Sequence, residues 1–145
     1  VALSLDAAGK SDQAIKRLEL ILAKQPNNVI ALNNLAWLYQ EAGDKRARTL
    51  AQKAYLLAPS PQVSDTLGWV LTATGDAKTA LPLLRQASMQ MPDNLAIQYH
   101  LGVALKEAGQ KDEAISVLRP IVLGVQDFDD KPAAKKLLDE LTGGR

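Results

Sequence analysis

The sequence predicts an all-α solenoid of antiparallel helix pairs, and three sets of regularly repeated residues carry the prediction. Gly9, Gly43, Gly75 and Gly109 lie 34, 32 and 34 residues apart. Ala14, Ala47, Ala80 and Ala114 lie 33, 33 and 34 apart, and Pro26, Pro59 and Pro92 follow at intervals of 33. A shared period of this length marks one supersecondary unit used several times, with each copy burying its apolar face against the next.

Each element follows from its own residues. Residues 1–26 read as an incomplete first repeat in which Gly9 closes one helix and Ala14 and Leu18 lie on the next. In the second repeat, 27–59, Leu32, Leu35, Ala36 and Tyr39 follow the i, i+3, i+4, i+7 rule and form one apolar stripe. Glu41-Ala42-Gly43-Asp44 breaks that stripe, because glycine supplies a helix end at positive φ and aspartate caps the next helix. Ala47, Leu50, Ala51, Ala54, Leu57 and Ala58 resume helical spacing until Pro59 stops it and Ser60-Pro61 turns the chain. The third repeat, 60–92, runs Leu67-Gly68, Leu71, Gly75-Asp76, Ala80, Leu84, Ala87, Pro92. The fourth, 93–125, runs Leu101-Gly102, Leu105, Gly109-Gln110, Ala114, Leu118, Ile121. Pro82 is expected to bend the start of its helix, and the deeper Pro120 to kink or shorten the last repeat. Residues 126–145 read as a capping helix and tail: Asp130 caps it, Pro132 suits its first turn, and Ala134, Leu137, Leu138 and Leu141 make its apolar face. Ala36, Gly68 and Gly102 are placed where the two helices of a repeat cross, so a larger side chain there forces them apart.

Composition narrows the function. Hydrophobic residues are 47% of the 145 and charged residues 23%, enough apolar surface to fold. Aromatics are only 4%, so aliphatic residues and alanine fill the core. A net charge of +1 gives no overall attraction to nucleic acid or to an anionic membrane. The absence of cysteine excludes disulfides, thiolate metal sites and cysteine nucleophiles, and leaves the compartment open. His100 is the single histidine, which excludes multi-histidine metal sites. No apolar run reaches the roughly 18 residues of a membrane span. Val1–Asp6 is too short and too soon charged for a signal peptide, and a start without Met is expected of a trimmed piece of a longer protein.

The repeated residues resemble the tetratricopeptide repeat (TPR), whose pattern is a large residue, Leu-Gly, an aromatic, an Ala with a large residue four on, and a closing Pro. The matching segments are Leu35-Ala36…Tyr39, Leu67-Gly68…Leu71 and Leu101-Gly102…Leu105, followed by Ala14…Leu18, Ala47…Ala51, Ala80…Leu84 and Ala114…Leu118. Several positions depart from it: the first large residue is only Leu32, Ser64 or Gln98, the Asp44-Lys45-Arg46 loop is one residue short, and the fourth repeat has Pro120 in place of a closing Pro. The resemblance implies a right-handed α-solenoid whose first helices line a concave groove. The wording Asn33-Asn34-Leu35-Ala36-Trp37-Leu38-Tyr39, Asp65-Thr66-Leu67-Gly68-Trp69-Val70-Leu71 and Tyr99-His100-Leu101-Gly102-Val103-Ala104 is similar, more narrowly, to the C-terminal repeats of TPR lipoproteins of bacterial PEP-CTERM/exosortase systems. Ala80-Leu81-Pro82-Leu83-Leu84 and the Phe128…Leu141 segment fit that likeness. It implies a lipoprotein of the Gram-negative envelope or periplasm, linked to export or exopolysaccharide assembly, with a cytoplasmic location left open.

With Leu35 and Tyr39 inward, helical spacing puts Ile30, Asn33, Trp37, Gln40 and Glu41 on the opposite face of their helix. The next repeat offers Gln62, Asp65, Trp69, Thr72 and Ala73, and the last offers Ala96, Tyr99, Val103, Lys106 and Glu107. Asn34, Thr66 and His100 share one slot at the border of this face. Trp37 and Trp69, the only tryptophans, occupy equivalent positions and with Tyr99 make a set of aromatic platforms for a peptide. They fit equally well as filler between neighbouring first helices. Asn33 and Asn34 offer both donor and acceptor to a peptide backbone, or make a solvated helix face. His100 reads as a partly buried, hydrogen-bonded side chain. Glu41, Asp65 and Glu107 against Lys106 make the face mildly acidic, so it lacks the cations that would grip a C-terminal carboxylate and suits an apolar, neutral or mildly basic segment. Lys45, Arg46, Arg48 and Lys53 read as a solvated outer face.

Three functions compete. One is a non-enzymatic scaffold that holds a protein or peptide in the groove, with no cofactor, metal or nucleic acid. A second is a spacer of a longer array, or a segment that self-associates through the exposed edge of the first repeat. The third, an enzyme, lacks a P-loop, a GxSxG motif or a histidine-centred triad.

Overall fold

Short apolar stripes separated by glycine turns bury their aliphatic residues by folding one helix back on its neighbour. A computed structural model describes residues 5–143 and divides the chain into two compact units, residues 1–59 and 60–145. Val1–Ser4 and the Gly144-Arg145 end of the expected tail lie outside the described residues. Every element among the described residues is helical. The first unit holds α1 (Leu5–Lys24), α2 (Val29–Glu41) and α3 (Arg46–Leu57). The second holds α4 (Pro61–Ala73), α5 (Ala77–Gln90), α6 (Leu95–Glu107), α7 (Lys111–Leu123) and α8 (Lys131–Thr142).

The three turn glycines act as their spacing predicts. Gly43, Gly75 and Gly109 have φ of 74°, 89° and 82°. Each closes a paired hydrogen-bond motif: Asp44 N–H donates to the Tyr39 carbonyl and Gly43 N–H to that of Gln40. Asp76 and Gly75 repeat the pattern on Leu71 and Thr72, and Gln110 and Gly109 on Leu105 and Lys106. Both bonds satisfy carbonyls the helix end would otherwise orphan, and the backbone is pre-set for an immediate second helix. At the helix starts, Asn28 Oδ1 accepts from Ala31 N–H, Asn94 Oδ1 from Ile97 N–H and Ser60 Oγ from Val63 N–H. Ser60-Pro61 therefore starts a helix rather than merely turning the chain. Asp44 accepts from Arg46 N–H, but the N-cap position of α3 belongs to Lys45.

Two expectations are corrected. Gly9 does not end a helix, since α1 continues through it for 20 residues. A mid-helix glycine costs only about 1 kcal/mol relative to alanine, and no turn motif forms there to stop the helix. Pro120 does not shorten α7, which runs to Leu123 and matches the 13 residues of α2, α4 and α6. A proline removes one helical hydrogen bond, whereas the buried Leu118 and Ile121 hold α7 on either side of Pro120.

In the first unit the core is Leu32, Leu35, Ala36 and Tyr39 of α2 with Ala47, Ala51 and Ala54 of α3. In the second, small residues set the helix spacing. A Cβ built on Gly68 would stand 2.6 Å from Leu84 Cγ, and one on Gly102 would stand 2.6 Å from Leu118 Cδ2. α4 therefore seats directly on α5, and α6 on α7, as the Leu-Gly pairs predict. The expected cap forms: Ala134 and Leu138 of α8 pack with Leu118 and Ile121 of α7, joined by Phe128, Leu137, Leu141 and Tyr99.

Candidate functional site

In the first unit, α2 places Asn34 and Glu41 in solvent and leaves Asn33, Trp37 and Gln40 half-buried. The Oδ1 of Asn33 is screened from water and has no hydrogen-bond partner among the described residues. The other side of α2 carries a second cluster. Tyr39 Oη donates to Glu19 of α1, and the Arg46 guanidinium lies 4.4 Å from the Tyr39 ring centroid. Arg46 also pairs with Asp44 at 2.7 Å and reaches Glu19 at 3.7 Å. Burial first, then the Glu19 bond and charge, pushes the Tyr39 phenol up to about 12. Hydrogen bonds from Arg46 hold the Asp44 carboxyl below its ordinary value. This cluster borders a largely apolar concavity of about 480 Å³ lined by Leu22, Leu35, Thr49 and Leu50. Lys45 and Arg48 are exposed, in keeping with an outer face, and Lys53 is half-buried.

In the second unit the predicted residues come together across α4 and α6. Asp65 and Trp69 lie one helical turn apart on α4, and Tyr99 and His100 are adjacent on α6. His100 Nδ1 meets Asp65 Oδ1 at 2.7 Å. The Trp69 ring centroid is 4.4 Å from that of His100 and 6.0 Å from that of Tyr99. His100 is hydrogen-bonded as expected and, only 2% exposed, is more deeply buried than the partly buried side chain expected. Trp69, Tyr99 and Val103 stay half-buried, Lys106 is exposed, and the Asp65 side chain keeps 15% of its surface. Burial raises the Tyr99 phenol, with the Asp130 carboxylate adding to the shift.

Three residues depart from the expected open face. Thr66 is buried and donates its hydroxyl to the Gln62 carbonyl. Thr72 is buried and donates to the Gly68 carbonyl. His100 is turned inward, as described, so none of the three offers surface to a partner. Lys106 is engaged by its neighbour Glu107 at 3.1 Å, which neutralises the one cation on that face.

Sequence reading missed the Asp65–His100 pair because its members occupy adjacent, not identical, slots of successive repeats. An acid one slot before a histidine, displaced by one repeat, was the signal available. It also missed Arg85 of α5, whose guanidinium forks onto Glu113 of α7, with Nη2 at 3.0 Å from Oε1, and lowers that carboxyl. A concavity of about 720 Å³ lies elsewhere in the unit, lined by Pro92, Leu95, Gln98, Val117, Pro120 and Ile121. Among the described residues no cluster of His, Asp and Glu is arranged to hold a metal ion, and no helix is long and apolar enough to cross a membrane.

Helix pairs closed by glycine turns, with Gly68 and Gly102 under a leucine, define a helical-repeat protein. Two tetratricopeptide-repeat profiles match it, over residues 71–141 and 18–49, so the chain carries tetratricopeptide repeats. A TPR repeat-containing protein of Pseudomonas aeruginosa is 34% identical over 93 residues, 62% of this chain and 16% of that protein. Cellulose synthase 1 operon protein C of Komagataeibacter xylinus is 26% identical over 133 residues, 86% of this chain and 10% of that protein. The chain thus spans only a small part of these relatives. Among solved structures, MamA AMB-1 aligns with a TM-score of 0.72 at 28% identity, covering 95% of this chain and 83% of that one. MamA from Desulfovibrio magneticus RS-1, at 22% identity and a TM-score of 0.70 over 95% of this chain and 87% of that one, shows the fold alone.

Proposed function

We propose that this chain is a non-enzymatic scaffold that holds a segment of a partner protein on the solvent-facing side of its first helices. The observation that carries the reading is the second-unit surface of Trp69 and Tyr99 beside Asp65, half-buried aromatics with a carboxylate at their border. Such residues, part apolar and part polar, are enriched among binding hot spots, where truncation costs about 2 kcal/mol or more. Trp37 with Asn33, Asn34, Gln40 and Glu41 offers a separate surface of the same kind in the first unit. The cellulose synthase operon proteins support a setting in exopolysaccharide assembly at the bacterial envelope. The narrower reading, a lipoprotein of a PEP-CTERM/exosortase system, is one form of that setting and rests on the wording of the repeats alone.

Capture from a Gram-negative envelope extract tests it, with Trp37→Ala and Trp69→Ala variants of retained helicity in parallel. A protein held by the parent and lost by the Trp69→Ala variant is the expected result. Equal capture by all three moves the site off these helices and sinks the assignment.

A second reading is favoured by α1, where Leu20 is 68% and Ile21 40% exposed. Apolar side chains so exposed on a helix suit contact with another helix, in a longer array or in a second copy. Sedimentation equilibrium decides between the two forms: a mass that rises with concentration in the parent and stays monomeric in Leu20→Lys/Ile21→Lys supports self-association, and a constant monomer mass removes the second-copy form.

A further inference from the structure

Asp65, Trp69 and Tyr99 combine the two chemistries that attract an organic cation, a carboxylate and the faces of aromatic rings. We propose that this surface seats a basic side chain, the guanidinium or ammonium of a partner segment, against the Trp69 ring and the Asp65 carboxylate. The inference deepens the scaffold reading and rests on it.

Geometry and charge support this occupant together. Trp69 is braced by His100 at 4.4 Å and flanked by Tyr99 at 6.0 Å, so its ring is held in place before a ligand arrives. His100 engages one oxygen of Asp65, and a carboxylate has a second to offer. α4 contains neither Lys nor Arg, and α6 contains only Lys106, already paired with Glu107. Among the described residues, no Lys or Arg stacks on Trp69, whose ring neighbours are His100 and Tyr99. The Asp130 carboxylate adds negative charge close enough to be felt at Tyr99. The first unit shows the same chemistry already satisfied: Arg46 covers the Tyr39 ring between Glu19 and Asp44. The second unit has the acids and the rings and lacks the arginine.

The test is a titration of the isotope-labelled whole chain with acetyl-Gly-Arg-Gly-amide and with its citrulline counterpart, which has nearly the same shape and no charge. The chain has two indole N–H signals, and a Trp69→Phe variant assigns one of them. The arginine probe is expected to move the Trp69 signal saturably and to bind at least about threefold more tightly than the citrulline probe. That preference should collapse in about 1 M salt, where the screening length falls to about 3 Å. Asp65→Asn should abolish it. Asp130→Asn leaves the His100 pair in place and should weaken the preference, so the proposal remains testable if the first variant misfolds. Equal shifts with both probes, or no shift at Trp69, overturn the proposal. If capture of a partner still depends on Trp69 in that case, the scaffold reading stands without the basic ligand; loss of both sinks both.

Discussion

Gly68 and Gly102 show how far a single missing side chain determines the packing. Each meets a leucine at a separation no real Cβ tolerates, 2.6 Å, yet the leucine is a side chain and can move. Gly68→Ala should therefore destabilise by about 1–3 kcal/mol through overpacking, offset in part by alanine's better helix propensity. Leu84→Ala alone leaves a cavity and should cost about 2–5 kcal/mol. The double variant Gly68→Ala/Leu84→Ala should cost clearly less than the sum, because each change relieves the other. Thermal melts of the four proteins check this, and strict additivity would mean that the two residues do not share the crossing point. Gly68 was legible in the sequence because its constraint is local and repeats with the period. His100 was legible only as a partly buried, bonded residue, and it is fully buried. Its partner Asp65 is 35 residues away, and which side chain meets it depends on the turn of α6 against α4.

The elements were largely readable, and the exceptions are residues whose local penalty is too small to end a helix. α2, α4 and α6 stop at the glycines that mark them, α3 and α5 stop just before Pro59 and Pro92, and α4 starts at Ser60-Pro61, because capping and left-handed turns are decided within a few residues. The Asn28 and Asn94 caps of α2 and α6 were not read from the sequence. Gly9 and Pro120 carry the same marks and do not end their helices: no left-handed turn forms at the solvent-exposed Gly9, and at Pro120 the burial of Leu118 and Ile121 outweighs one lost hydrogen bond. Pro82 lies in α5 in the same way and denies the Lys78 carbonyl its usual helical partner. Pro82→Ala should restore that bond and stabilise the second unit by about 1–3 kcal/mol, read as a higher denaturation midpoint. No gain would mean that the α5 backbone there is already bent to suit the proline. α8 yields the complementary prediction. Leu138 is 7% exposed against Leu118 and Ile121, so Leu138→Ala should cost about 2–5 kcal/mol and loosen the cap. Hydrogen exchange should then rise first in α7 and α8; unchanged protection of Leu118 and Ile121 would show that α8 does not seal them.

Across the chain, the repeat register accounted for the helix pairs, and composition accounted for the aliphatic core. The face that meets a partner was only half legible, since Thr66, Thr72 and His100 share its helical positions and are buried by their neighbours. The ion-pair clusters were not legible, because Glu19, Arg46, Arg85 and Glu113 are ordinary surface charges until the helices bring them together. Together they predict how stability varies with pH for the molecule as a whole. Tyr39 has its phenol raised from 10.0 to about 12, so the folded state holds that proton more tightly than the unfolded one. Its contribution is complete below pH 10 and is lost as pH climbs toward 12, with Tyr99 shifted in the same direction. Asp44 and Glu113 run the other way: their carboxyls are lowered by Arg46 and Arg85, so their contributions are present above the ordinary carboxylate range and lost as pH falls through their lowered values. Glu113 is 41% exposed, which limits the Arg85 pair to about 1 kcal/mol at most. The melting temperature should therefore form a plateau through neutral pH, with a shallow acid limb and a steeper alkaline one. Tyr39→Phe keeps the ring and removes the titrating hydroxyl, so it should flatten the alkaline limb while leaving the acid limb alone. Glu113→Gln should do the reverse. An alkaline limb unchanged in Tyr39→Phe would place the titrating group elsewhere and remove the Tyr39–Glu19 bond from the forces that hold α1 to α2.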